Sequence, residues 1–215
     1  MRYSSTMLTT SNLKKVFLIA LLCIGIAIYF FSKSEGAITN YPSSGTDIIA
    51  FGDSLVEGVG ASTESRNFVS RLSVMIGRPI INLGVSGNTT EDGLKRLSQL
   101  DNYKPKVVLL LLGGNDHLRK VPTGTIFANL GKLIEEIHKR GAVVVLLGVR
   151  GNILIDRFDS EFEELRDKYH TAYVEDVLQG LFGIPQYMAD SIHPNDLGYE
   201  KIAERIEPVL KKVIK

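Results

Sequence analysis

The sequence predicts an α/β fold in three layers, with a five-stranded parallel sheet between helices, and three observations predict it. Five short apolar runs of β type recur at 47–51, 79–83, 107–112, 142–147 and 171–174. They lack polar alternation, as strands buried on both faces do. Helical patterns separate them, and alternating strand and helix implies right-handed crossovers with helices on both faces of the sheet.

Each element has its own signal. The first run ends abruptly in Gly52-Asp53-Ser54-Leu55, a strand-to-helix turn. Phe68, Val69, Leu72, Met75 and Ile76 then recur at helical spacing, and Gly77 supplies a stop. After the second run, Asn88 or Thr89 caps a helix carrying Leu94, Leu97 and Leu100, and Pro105 reads as a breaker. After the third, Ile126, Leu130, Leu133, Ile134 and Ile137 form an apolar stripe that Gly141 closes. A loop through Arg157 leads to a helix with Phe162, Leu165 and Tyr169. Tyr199, Ile202, Ile206, Val209, Leu210 and Val213 share one side of a terminal helix, which Pro208 is expected to kink or split.

The chain has 215 residues, enough for one domain and an appendage. The appendage is an unbroken apolar run from Val16 to Phe31, VFLIALLCIGIAIYFF, with Lys14 and Lys15 before it and Lys33 after it. As a helix it spans ~24 Å, slightly less than the ~30 Å of a hydrocarbon core, and snorkelling lysines extend its reach. Residues 1–33 are therefore expected to be a tail and transmembrane anchor, 34–45 a polar linker, and 46–215 the domain. The basic residues before the run place that domain outside the cytoplasm, periplasmic or extracellular. The rival reading is a cleaved signal peptide, which would release a soluble secreted protein. Its apolar region would be shorter, and 34–37 offers only a poor cleavage site.

Charge and cysteine content exclude several functions. Residues 1–40 hold four basic and one acidic residue of the chain's 25 and 24, so the remainder carries 21 against 23, a net of −2. A domain so balanced has no general field for nucleic acid. Cys23 is the only cysteine. It allows no disulfide within the chain and no multi-cysteine zinc site.

Ligands of such sheets bind beyond the carboxyl ends of the strands. Four segments stand there or late in the chain: Gly52-Asp53-Ser54, Gly84-Val85-Ser86-Gly87-Asn88, Gly113-Gly114-Asn115-Asp116, and Asp190-Ser191-Ile192-His193-Pro194. Together they offer a hydroxyl nucleophile, an imidazole base with a carboxylate three residues before it, and donors for an oxyanion. A serine hydroxyl is a weak nucleophile until a base takes its proton. Imidazole titrates near 6.5 when unperturbed and suits that task, and a carboxylate orients its ring. The Ser54 and Gly87 backbone N–H groups and the Asn115 amide are candidate oxyanion donors.

These four segments resemble, in order and spacing, the four blocks of the SGNH (GDSL-type) hydrolase family. The resemblance is closest to the lysophospholipase, acyl-thioesterase and arylesterase branch, and it covers the chain from Thr46 onward. It implies a flavodoxin-like fold, Ser54 as nucleophile, His193 as base and Asp190 as its orienter. It also implies an oxyanion hole of Ser54, Gly87 and Asn115, and no metal or cofactor. The expected activity is hydrolysis of carboxylic esters or thioesters, such as lysophospholipid, acyl or aryl esters, through an acyl-enzyme. Membrane contact is expected only through the apolar run.

Other readings compete. Deacetylation of acylated wall sugars would use the same site. A non-catalytic lipid- or glycan-binding protein would share the fold. A phosphoryl-accepting receiver would use Asp53 and Asp116, but leaves Asp190, His193 and Gly87 unexplained. A nucleotide-binding loop fits poorly, because Gly52, Gly58 and Gly60 match neither phosphate-loop pattern. Asp53 and Asp116 are expected to be hydrogen-bond acceptors that fix loops. His138 and His170 read as solvated helix C-terminal residues, and His117, next to the third block, receives no role. The loop 149–158, VRGNILIDRF, is either an apolar groove with cationic ends or packing against the sheet.

Overall fold

The computed structural model describes residue 19, residues 37–149 and residues 158–215. The chain divides into two compact units, Met1–Gly36 and Ala37–Lys215, and all elements below belong to the second. Apart from Ile19, the apolar run from Val16 to Phe31 lies outside the described residues, as do Arg150 to Arg157 of the 149–158 loop. Among the described residues no helix is long and apolar enough to cross a membrane.

The chain opens with β1 (Asp47–Gly52), α1 (Ser54–Glu57), a 3-10 turn (Glu64–Arg66) and α2 (Phe68–Ile76). It continues through β2 (Ile80–Gly84), α3 (Thr90–Lys95), a second 3-10 turn (Leu97–Asn102) and β3 (Pro105–Leu111). Then come α4 (Gly114–Leu118), α5 (Thr123–Lys139), β4 (Val143–Leu147), α6 (Asp159–Tyr169), β5 (Ala172–Val174) and α7 (Asp196–Val213). The five strands form one parallel sheet in the order β2-β1-β3-β4-β5. The chain leaves β1 toward β2 on one side and later returns to β3 on the other. A crevice therefore opens beyond β1 and β3, the switch point of a doubly wound sheet.

Alternation along the strands divides the core in two. Ile48, Ala50, Val107, Leu109, Leu111, Val143, Val145 and Leu147 pack on one face with α2 and α7 residues such as Leu72, Tyr199 and Ile206. Ile49, Phe51, Val108, Leu110, Val144 and Leu146 pack on the other with Leu130, Ile134, Ile137 and Phe162. Each buried Val, Leu, Ile or Phe side chain contributes ~1.5–3 kcal/mol, so the central strands anchor both layers.

Three details differ from the sequence expectation. Pro105 opens β3 instead of preceding it, because the first residue of a strand can lack an N–H. α7 runs unsplit from Asp196 to Val213 with Pro208 inside it. Proline there costs ~3 kcal/mol, offset by a buried face of Tyr199, Ile202, Ala203, Ile206, Leu210 and Val213. His138 is half-buried, and burial pulls its pKa below the ordinary value. Within the segment read as a linker, Asn40 Nδ2 donates to His138 O at 2.8 Å and Ala142 O at 3.0 Å, and Ser43 Oγ to Gly141 O at 2.7 Å. Those side chains satisfy carbonyls left open between α5 and β4.

Candidate active site

Tight turns at the carboxyl ends of β1 and β2 set up the site. Gly52 and Gly84 face each other in register. A Cβ on Gly52 would run into Leu111 O and Val56, and one on Gly84 into the Glu57 backbone. Only glycine lets α1 start directly above the strand ends. Asp53 caps α1, accepting from Leu55 N at 3.0 Å, and α1 ends at Gly58 with φ 101°. Ser54 is thus the first helical residue, buried but lining a cavity.

His193 arrives from the far end of the chain. Asp190 shapes its turn: one carboxylate oxygen accepts from Ile192 N at 2.8 Å and His193 N at 2.7 Å. The other oxygen meets His193 Nδ1 at 2.8 Å. The three-residue spacing therefore makes an Asx-type turn, not a turn of helix. A bridge between Met188 and Pro194 closes the loop, and Asn195 caps α7 behind it. Gly60, with φ 95°, packs on this loop, where a Cβ would meet Pro194 O and His193 Cβ. On the other side of the ring, Nε2 lies 3.1 Å from Ser54 Oγ. A ring protonated at Nδ1 donates to Asp190 and leaves Nε2 free to accept from Ser54.

The third and second blocks stand beside this pair. Asn115 lies in α4, and its Nδ2 donates to Asn88 O at 3.0 Å, with a longer contact of 3.4 Å to Asp53 Oδ2. Gly87 adopts φ 78°, a conformation that favours glycine. Its carbonyl accepts from Arg119 at 2.9 Å. Asp116 is buried and accepts from Thr90 N at 2.8 Å and Thr90 Oγ1 at 2.6 Å, tying α4 to the start of α3. Ser54, Asn115 and His193 share one cavity of about 460 Å³. Gly87 is not among its lining residues and reaches the group through its neighbour Asn88. Leu112, Ile126, Phe127, Phe158, Phe162 and Leu178 make the cavity mostly apolar.

Environment separates the two aspartates of the site. Burial pushes the Asp53 carboxyl up to about 7, against the pull of the Leu55 N–H and of His193. Asp190 is held down to about 2, first by its hydrogen bond with His193, then by the two backbone N–H groups. His117 also lines the cavity, with its ring edge-on to Phe158 at 5.3 Å. Among the described residues no three His, Cys, Asp or Glu side chains cluster so as to hold a metal ion.

Residues 50–201 match the model of the GDSL-like lipase/acylhydrolase family. The chain belongs to that family. It is a GDSL-type serine ester hydrolase, as its relatives are. Esterase TesA of Pseudomonas aeruginosa is 30% identical over 179 residues, covering 78% of this chain and 89% of that protein. An arylesterase of Vibrio mimicus is 35% identical over 140 residues, 62% of this chain and 70% of its own. A crystal structure of TesA superposes with a TM-score of 0.73 at 29% identity, covering 78% of this chain and 99% of that one.

Sequence reasoning missed two contributors: Asn88 as an acceptor, and Gly60. Their signals were weak. Gly60 stood out only as a poor phosphate-loop match.

Proposed function

We propose that Ser54 is the nucleophile, His193 the general base and Asp190 the group that orients it, in a hydrolase of acyl esters. The observation that carries this reading is the unbroken relay at the cavity mouth: Ser54 Oγ to His193 Nε2 at 3.1 Å, and His193 Nδ1 to Asp190 at 2.8 Å. Ser54 Oγ attacks the ester carbonyl carbon while its proton passes to His193 Nε2. The carbonyl oxygen becomes an oxyanion, with the Ser54 N–H, the Gly87 N–H and Asn115 Nδ2 as its donors. The intermediate collapses, and the leaving alcohol takes the proton from His193. Water then repeats the sequence on the acyl-enzyme, releasing the acid and freeing Ser54.

The apolar cavity beside Ser54 suits the acyl chain of the ester. Relatives named esterase and arylesterase support the same substrate class. The apolar run from Val16 to Phe31 is proposed to hold the domain at a membrane, facing lipid or wall esters outside the cytoplasm. Residues 46–215 are proposed to act as the catalytic domain.

A fluorophosphonate probe tests the site. It is expected to label Ser54 and nothing else, and Ser54→Ala is expected to abolish labelling. Labelling of another residue overturns the assignment. A panel of p-nitrophenyl esters of rising acyl length then reads the cavity, and sole activity on acetyl esters would favour deacetylation instead. Retention of full-length protein in membranes after an alkaline wash tests the anchor; a shortened soluble form starting near Ala37 overturns it.

A further inference from the structure

The three proposed oxyanion donors stand on separate loops, after β1, β2 and β3, and one side chain bonds the first two loops directly and reaches the third through Asn88. Arg96 follows α3 and is partly buried. Its Nη2 donates to Gly52 O at 2.6 Å, its Nη1 to Leu83 O at 3.0 Å, and its Nε to Asn88 Oδ1 at 2.6 Å. The guanidinium carbon lies 3.9 Å from the Phe51 ring centroid, which fixes the plane of the fork. Gly52 stands two residues before Ser54, and Asn88 one residue after Gly87. The Asn88 carbonyl accepts from Asn115 Nδ2 at 3.0 Å. Gly52 O also accepts from Val85 N at 3.1 Å, so the first two loops meet at the same carbonyl.

We propose that Arg96 is a positioning residue that holds the Ser54, Gly87 and Asn115 donors in register for one oxyanion. This inference rests on the oxyanion-hole reading above. Arg96 touches no reacting atom; it acts through Gly52 O and Asn88. The carbonyls at the ends of β1 and β2 are aimed at different points, and a planar fork of five N–H groups meets two of them and an amide oxygen at once. A lysine ammonium, a point charge on a flexible stem, cannot do so. Oxyanion stabilisation depends on donors that do not need to reorganise as charge develops. A shift of one loop by ~1 Å costs about 10²-fold in rate.

The test compares full-length wild type with Arg96→Ala, Arg96→Lys and Asn88→Ala on p-nitrophenyl butyrate. Turnover is expressed per serine titrated by a fluorophosphonate, so misfolded protein does not count. Arg96→Ala is expected to lower kcat by about 10²-fold with KM within about twofold, the pattern of an interaction felt in the transition state. Added guanidinium ion is expected to restore part of that loss, and Arg96→Lys to remain impaired. Asn88→Ala is expected to lose about tenfold, since it cuts only one arm. In an Asn115→Ala background the Arg96→Ala loss is expected to shrink, because coupled groups are non-additive.

A kcat per titrated serine within about twofold of wild type in Arg96→Ala overturns the proposal. So does a full loss that adds undiminished to that of Asn115→Ala. If Arg96→Ala does not fold, unchanged kcat in both Arg96→Lys and Asn88→Ala overturns it. Retained turnover in Ser54→Ala would instead sink the underlying reading, while loss there with an intact Arg96→Ala enzyme sinks only this inference.

Discussion

Asp53 and Asp190 each border one member of the Ser54–His193 pair, and they live in opposite surroundings. Asp53 is 3% exposed, while the Asp190 side chain is 52% exposed. Burial drives the first carboxyl up to about 7; hydrogen bonds hold the second down to about 2. Asp53 spends its acceptors on the start of α1 and on Asn115, so it fixes chain. Asp190 spends its acceptors on its own turn and on the imidazole, so it keeps its charge beside the ring. Two carboxyl groups whose surroundings push their pKa values apart are suited to different tasks. On the proposed roles the buried one is structural and the exposed one serves the chemistry, the reverse of what burial alone would suggest.

The comparison can be broken, beginning with its largest consequence. Ser54→Ala is expected to reduce kcat by about 10⁴–10⁶-fold, since members of such a relay act as a unit. Single-turnover assays check this, and thermal melting is expected to change little. Asp190→Asn comes next, with a loss of up to about 10⁴-fold from a mis-set imidazole tautomer. If Asp53→Asn produced that loss and Asp190→Asn did not, the roles assigned here would be exchanged. Asn115→Ala is expected to cost about 10²–10³-fold in kcat, with KM nearly constant.

The smallest effect on rate sharpens the contrast most, because it is read in stability. Asp53 has a raised folded pKa, so between about 4 and about 7 the folded protein holds a proton that the unfolded chain has shed. Its contribution to stability therefore falls as pH rises through that window. Asp53→Asn is expected to gain stability over wild type above pH 7, by at most ~4 kcal/mol, and to gain nothing near pH 4. Asp190 has the opposite sign. Its contribution is present above about 4 and is lost as pH falls toward about 2. Melting curves of both variants across pH check the two signs together.

Much of this was legible in the sequence, for identifiable reasons. The β-type runs announced themselves because strands buried on both faces leave no room for polar alternation. Each of the four site segments contains residues, such as Asp53-Ser54 and Asp190 with His193, whose chemistry is local to a turn. Arg96 was not legible. Its partners are mostly backbone carbonyls at the ends of other strands, and carbonyls leave no residue-type trace. The edge of β3 was misread because Pro105 breaks a helix and opens a strand with equal ease. The contacts of Asn40 and Ser43 were not legible either, because their partner carbonyls, between the end of α5 and the start of β4, lie about a hundred residues away.

The chain order of the Ser54–His193 contact has a consequence for synthesis. The two residues lie 139 positions apart, and the base rides on the loop that leads into α7. While the ribosome is still making the segment before Asp190, the sheet and its serine can already exist, but the hydroxyl lacks its imidazole neighbour. On the proposed roles, the nascent protein is expected to be hydrolytically silent until α7 docks against α2.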